Sequence, residues 1–176
     1  MEEKIFKAYD IRGIYPTEID EEAVERIVKA YVNWLKPKKI ALGRDVRLSS
    51  EALFKTASRA ALELGVEVID IGIITTDMLY FAVSHYGYDG GITITASHNP
   101  AEYNGMKIIR EKSKPVSGDT GLEEIKRLAI ANNKFEKIGE NGSLVKKEIT
   151  EDYLDKVFSF IDIQRIKKQK IIVNPN

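Results

Sequence analysis

Cysteine is absent from the sequence, which excludes disulfide scaffolds, Cys-ligated zinc and cysteine nucleophiles together. Histidine is scarce, with only His85 and His98, so a metal here would rest mainly on oxygen ligands. Net charge is missing as well, because 27 Lys and Arg balance 27 Asp and Glu. Without a cationic excess there is little general attraction to phosphate backbones or anionic lipid, which argues against nucleic-acid and membrane partners. No apolar run approaches membrane-spanning length, and MEEKIFKAYD lacks the apolar core of a signal peptide. A soluble, cytoplasmic protein is the expectation. Oligomeric state is not readable from the residues.

What is present reads as strands alternating with helices. The 176 residues, 43% hydrophobic and 31% charged, suffice for one domain and part of a second. Ala23, Val24, Ile27, Val28, Tyr31 and Leu35 share one face of a helix over 22–35, which Pro37 ends. Ile40–Gly43 reads as a short buried strand. Ser49 or Ser50 is expected to cap a second helix with Leu53, Phe54, Ala57, Ala61 and Leu64 inward, closed by Gly65. Strands over Val66–Ile71 and Ile92–Ala96 flank a helix from Asp77 to Tyr86. Met106–Arg110 follows too soon for a helical crossover, so that strand is expected to run antiparallel.

Leu122, Ile125 and Leu128 mark a further helix, and a polar loop from Asn132 to Ser143 carries an Asn-Gly turn at 141–142. A capped helix beginning at Thr150, with Leu154, Val157, Phe158 and Ile161 inward, precedes an apolar strand at Ile171–Val173. The fold class is therefore α/β, a mixed, largely parallel sheet covered by helices. One helix and one strand cannot make a core of their own. Residues 1–148 are expected to form the first domain and 149–176 the beginning of a second, truncated α/β domain.

Chemistry concentrates in residues 90–100, GGITITASHNP. A strand ends near Ala96 and Asn99-Pro100 turns the chain, leaving Ser97 at the carboxyl end of a strand, where α/β sheets present reactive groups. Taken alone, the same residues also make an ordinary polar turn. A serine-hydrolase elbow does not fit, since Thr95 and Asn99 stand where it requires glycine. In an extended segment His98 would point away from Ser97 and could not serve as its base. A phosphorylated Ser97 fits better, because phosphoserine calls for donors and cations around it. Lys107, after the turn at Tyr103-Asn104-Gly105, can return beside it.

Thr95 to Lys107 reads T-A-S-H-N-P-x-x-Y-N-G-x-K, which resembles the signature of the α-D-phosphohexomutase family of phosphomannomutases and phosphoglucomutases. Phe6 to Gly13 resembles that family's opening F-x-x-Y-D-I-R-G, and Gly43 to Ser50 its G-x-D-x-R-x-S segment. The three stand in the family's order. One departure is Thr75-Thr76-Asp77-Met78, where the family has a Thr-Pro pair. Asp77 replaces the proline, and its charge suits the first turn of a helix.

The resemblance implies that the first domain is the family's phosphoserine-bearing domain I, in an N-terminal fragment of a mutase that interconverts hexose 1-phosphate and 6-phosphate of mannose or glucose. Ser97 would carry the phosphoryl group and ligate Mg²⁺, with a bisphosphorylated sugar as intermediate and activator. Lys107 would handle a proton or hold the phosphate, Arg12 would contact phosphate, and His98 would orient the loop or contact phosphate. Tyr9, Arg12 and Lys107 would line the site for the phosphosugar, the one partner implied. Arg44-Asp45 reads as a structural ion pair, and His85 and Trp34 as packing. The family's D-G-D-x-D-R metal loop is absent, so the Asp ligands of Mg²⁺ are expected elsewhere and this chain alone is expected to be inactive. A phosphoglucosamine mutase fragment and a non-catalytic, free-standing binding module stand as alternatives.

Overall fold

A computed structural model describes residues 1–131 and 134–174. Strand β1 (Ile11–Ile14) leads into helix α1 (Glu21–Leu35). The helix begins where the Asp20 carboxylate accepts a hydrogen bond from the Ala23 amide at 2.8 Å. It stops at Lys36, which takes the left-handed conformation at φ 53° just before Pro37. The apolar stripe from Ala23 to Tyr31 is the face it buries. Strand β2 (Lys39–Arg44), helix α2 (Ser50–Glu63), strand β3 (Glu67–Ile73), helix α3 (Thr76–Tyr86) and strand β4 (Gly90–Ile94) follow in the expected alternation. Gly65 closes α2 at φ 87°, a region that costs glycine little. Strand β5 (Tyr103–Arg110), the short β6 (Lys114–Pro115), helix α4 (Leu122–Ala131), strand β7 (Ser143–Lys146) and helix α5 (Thr150–Phe158) complete the order.

The seven strands form one sheet in the order β1-β5-β4-β2-β3-β7, with β6 beside β5. Strand β2 pairs in parallel with β3 and β4, and β3 with β7. Strand β5 runs antiparallel to β1, β4 and β6, so among the described residues it alone opposes the rest. The sheet is thus mixed and largely parallel, as expected. Its side chains alternate between two covers. Ile40, Leu42, Val68, Ile92, Ile94 and Ile108 pack with the buried faces of α1, α2 and α4. Ala41, Ile69, Ile71 and Ile109 pack instead with Leu79, Ala82 and Val83 of α3. Each large side chain buried this way contributes roughly 1.5–3 kcal/mol, which makes the two covers the main support of the sheet. Because β3 and β4 flank β2 on opposite sides, the chain reverses its order there. Such a switch point opens a crevice beyond the carboxyl ends of β2 and β4.

Several expectations need correction. Ser49 stands at the N-cap of α2, yet neither Ser49 nor Ser50 caps it with its side chain. The Ser49 hydroxyl accepts from Asn104, and Ser50 donates to Asp45. Strand β7 begins at the end of the region read as loop and extends the β3 edge. Of that loop, Asn132 and Asn133 lie outside the described residues, as do Pro175 and Asn176 at the end. Thr150 is the first residue of α5, as expected. The Glu148 carboxylate satisfies that end, accepting from the Ile149 and Thr150 amides and from the Thr150 hydroxyl. These bonds, the hydroxyl first, hold the Glu148 carboxyl below the usual range.

Leu154, Val157, Phe158 and Ile161 are exposed, not inward. Ile171, Ile172 and Val173 form no strand and are 75–90% exposed. An apolar strand is buried only when neighbours flank it, and among the described residues none does. Ile149, by contrast, is buried in the cluster that includes α3.

Candidate active site

The chain leaves the sheet after Ile94 through the buried Thr95 and Ala96, and Ser97 then emerges exposed. Its φ is 56°, a left-handed conformation that costs a non-glycine residue roughly 1–2 kcal/mol. The surroundings hold it there. The Thr95 amide donates to the Gly105 carbonyl at 3.0 Å and the Asn99 amide to the Ala96 carbonyl at 3.1 Å. The Ser97 amide donates to the Thr95 hydroxyl at 2.9 Å. Lys36, Lys112 and Ser113 share a left-handed φ, but only Ser97 has it at the carboxyl end of β4, which makes it a candidate position.

That turn overturns the expected geometry of His98. Because Ser97 is not extended, the imidazole does not point away, and its Nδ1 lies 3.3 Å from Ser97 Oγ. The separation is long for a hydrogen bond to a hydroxyl. It suits a contact that tightens when the site is loaded.

Arg47 organises the loop from the side of β2. Its guanidinium donates to the carbonyls of Ser97 (2.9 Å), Asn99 (2.6 Å), Pro100 (2.7 Å) and Tyr103 (2.9 Å). Its Nε lies 3.3 Å from Asp45 Oδ2, while Asp45 Oδ1 accepts from the Arg47 amide at 3.0 Å. Asn104, fully buried, donates to Ser49 and Ser50 at 2.8 and 3.0 Å and accepts from the Gly105 amide. The segments 43–50 and 95–107 are therefore one hydrogen-bonded unit. Arg44 and Asp45 are not an ion pair with each other, since Arg44 pairs with Glu51 and gives Asp45 only a carbonyl contact.

The third segment arrives on β1, whose pairing sets Arg12 opposite Gly105. Asp10, only 8% exposed, accepts from Arg12 at 2.6 and 2.9 Å and from Lys107 at 3.2 Å, all on Oδ2. Arg12 also donates to the Asn99 side chain at 2.9 Å, which ties this cluster to the Ser97 loop. Lys107 does return alongside β4, opposite Thr93, but its ammonium is anchored on Asp10. Asp10→Asn is expected to lower unfolding free energy by roughly 1.5–3 kcal/mol, the worth of hydrogen bonds to a charged group. Urea denaturation measures this, and an unchanged midpoint would mean that the two cations do not depend on Asp10.

The remaining positions sort plainly. Tyr9 is 74% exposed. His85 stacks on Phe81 at 4.7 Å and meets Tyr86 edge-on, while Trp34 packs against the core. An open cleft of about 1170 Å³ at the switch point is bordered by Arg47, Ile74, Met78, Ser97 and His98 among others. Among the described residues no group of three His, Asp or Glu is close enough to hold a metal. The described residues do not by themselves make a Mg²⁺ site around Ser97. Asp10 was legible in principle, lying two residues before Arg12 in the same segment. Arg47 is the arginine of the G-x-D-x-R-x-S segment, but its partners lie some fifty residues downstream, so the segment alone does not show what it holds.

Residues 3–137 match the family described as phosphoglucomutase/phosphomannomutase, alpha/beta/alpha domain I. The chain is 46% identical over 171 residues to a phosphomannomutase of Escherichia coli strain K12, covering 96% of this chain and 37% of that protein. It is 49% identical over 152 residues to a phosphomannomutase of Klebsiella pneumoniae, covering 85% of this chain and 96% of the relative. A crystal structure of a phosphoglucomutase/phosphomannomutase family protein from Burkholderia thailandensis aligns with a TM-score of 0.82 at 28% identity. That alignment covers 94% of this chain and 37% of the other, so the chain spans little more than a third of that protein, as of the E. coli relative.

Proposed function

Since the chain belongs to the phosphoglucomutase/phosphomannomutase family, with domain I over residues 3–137, we propose that Ser97 is the phosphoryl carrier of a phosphohexose mutase acting on mannose or glucose phosphates. The observation that carries this reading is the strained, exposed Ser97 at the carboxyl end of β4, at the border of the switch-point cleft. In the forward step the bond from phosphorus to Ser97 Oγ breaks as one forms to the free hydroxyl oxygen of the sugar phosphate. The hydroxyl proton ends, on balance, on Ser97 Oγ. A bisphosphorylated sugar results, and after turning in the cleft it returns its other phosphoryl group to Ser97. Such a transfer relies on alignment and charge neutralisation more than on covalent help.

His98, whose Nδ1 lies 3.3 Å from Ser97 Oγ, would give the serine oxygen its proton as the phosphoryl group leaves. Arg12 and Lys107, gathered by Asp10, supply positive charge beside the loop through Asn99. Mg²⁺ would take the phosphoserine as one ligand, with its carboxylate ligands coming from outside the described residues. Residues 149–176 are read as the opening of a second α/β unit, and the exposed apolar face of α5 supports that.

The test is intact-mass analysis after incubation with glucose 1,6-bisphosphate, followed by peptide mapping. One phosphate on Ser97 is expected. Wild-type protein that takes up none, or takes it elsewhere, removes the reading. Turnover of mannose, glucose and glucosamine 1-phosphates by the full protein then separates the sugar alternatives.

A further inference from the structure

The guanidinium of Arg47 has five N–H donors in a rigid fork. Four go to the carbonyls of Ser97, Asn99, Pro100 and Tyr103, and the fifth faces Asp45. None is left for a phosphate, and the neighbouring Asp45 carboxylate offsets the charge. The contribution of Arg47 must therefore pass through the loop it holds.

In a trans peptide the carbonyl and the next amide point in opposite directions. The one cis bond among the described residues is Tyr15–Pro16, so the Ser97–His98 and Pro100–Ala101 peptides are trans. With the Ser97 and Pro100 carbonyls drawn onto Arg47, the His98 and Ala101 amides face away from it. Neither amide has a hydrogen-bond partner among the described residues.

We propose that Arg47 is a positioning residue that sets the peptide planes of the 97–103 loop so that the His98 and Ala101 amides receive the phosphate on Ser97. The inference rests on Ser97 being the phosphoryl carrier. It assigns the phosphate a pair of backbone donors that no side-chain motif encodes, and backbone donors of this kind bind oxyanions without reorganising.

The test uses the full protein with and without phosphate on Ser97. In the wild type, hydrogen exchange at the His98 and Ala101 amides should slow about tenfold on phosphorylation, as amides entering a hydrogen bond do. Arg47→Ala and Arg47→Lys should each lower kcat about 100-fold, the scale of a loop displaced by an ångström, with KM nearly unchanged. Lysine keeps the charge but cannot span four carbonyls, so it should resemble alanine. Methylguanidinium should restore part of the alanine variant's turnover. Phosphorylated wild-type protein with unchanged exchange at both amides overturns the inference, even if neither variant folds. A lysine variant of wild-type kcat does so equally. Wild-type protein that never carries phosphate on Ser97 instead removes the carrier reading beneath it.

Discussion

Ser97→Ala should leave the full protein without phosphate after incubation with a hexose bisphosphate, and should lower mutase turnover by at least about 10⁴-fold, the scale expected when a covalent carrier is lost. The neighbouring hydroxyl of Thr95 is buried and already accepts the Ser97 amide. The variant should still fold. Ser97 is exposed, its hydroxyl contacts only the His98 ring among the described residues, and alanine meets the same left-handed backbone cost. A normal melting temperature with no bound phosphate and no turnover would separate the chemical role from a structural one. An alanine variant that turns over at the wild-type rate would place the carrier elsewhere.

Gly105→Ala is expected to be the most destabilising conservative change near the site. A Cβ at Gly105 would lie 1.9 Å from the Ile11 carbonyl oxygen, which is backbone on the neighbouring strand and cannot swing aside. Relief requires β1 and β5 to part where Arg12 pairs with Gly105. The expected loss is about 4 kcal/mol or more, in the range reserved for overpacked cores. For a chain of this size that lowers the melting temperature by about 8–16 °C. Calorimetry gives the figure directly. A fall of less than about 2 °C, corresponding to under 1 kcal/mol, would show that the strands adjust freely and that the pairing is not what aligns Arg12.

Much of the fold was legible because periodicity and punctuation are local signals. The stripe of α1, Gly65 after α2 and the short return to β5 each follow from a few adjacent residues. Strand β7 escaped because Ser143–Lys146 has four residues, sits at a sheet edge and is exposed throughout, so burial imposes no pattern on it. Leu154, Phe158 and Ile171–Val173 misled in the opposite way. Apolar spacing reports which residues gain from a partner, and it says nothing of whether the partner is present. At the candidate site the three segments could be read, but their mutual geometry could not. His98 was misplaced because one left-handed residue reverses the direction of the next side chain. Arg47 and Asp10 act on groups far along the chain, and no sequence spacing encodes a reach of that kind.

The pairing of β1 with β5 also sets when the site can exist. Asp10 and Lys107 are 97 residues apart, and Arg12 and Asn99 are 87 apart. At a synthesis rate of roughly 5–20 residues per second, Asp10 waits about 5–20 s on the ribosome for its partner to be made. Contacts of such long range also form slowly once available. Of the strands made earlier only β4, β2 and β3 can pair, so a nascent chain stopped before β5 would leave β1 unpaired and the Asp10–Arg12 pair without Lys107.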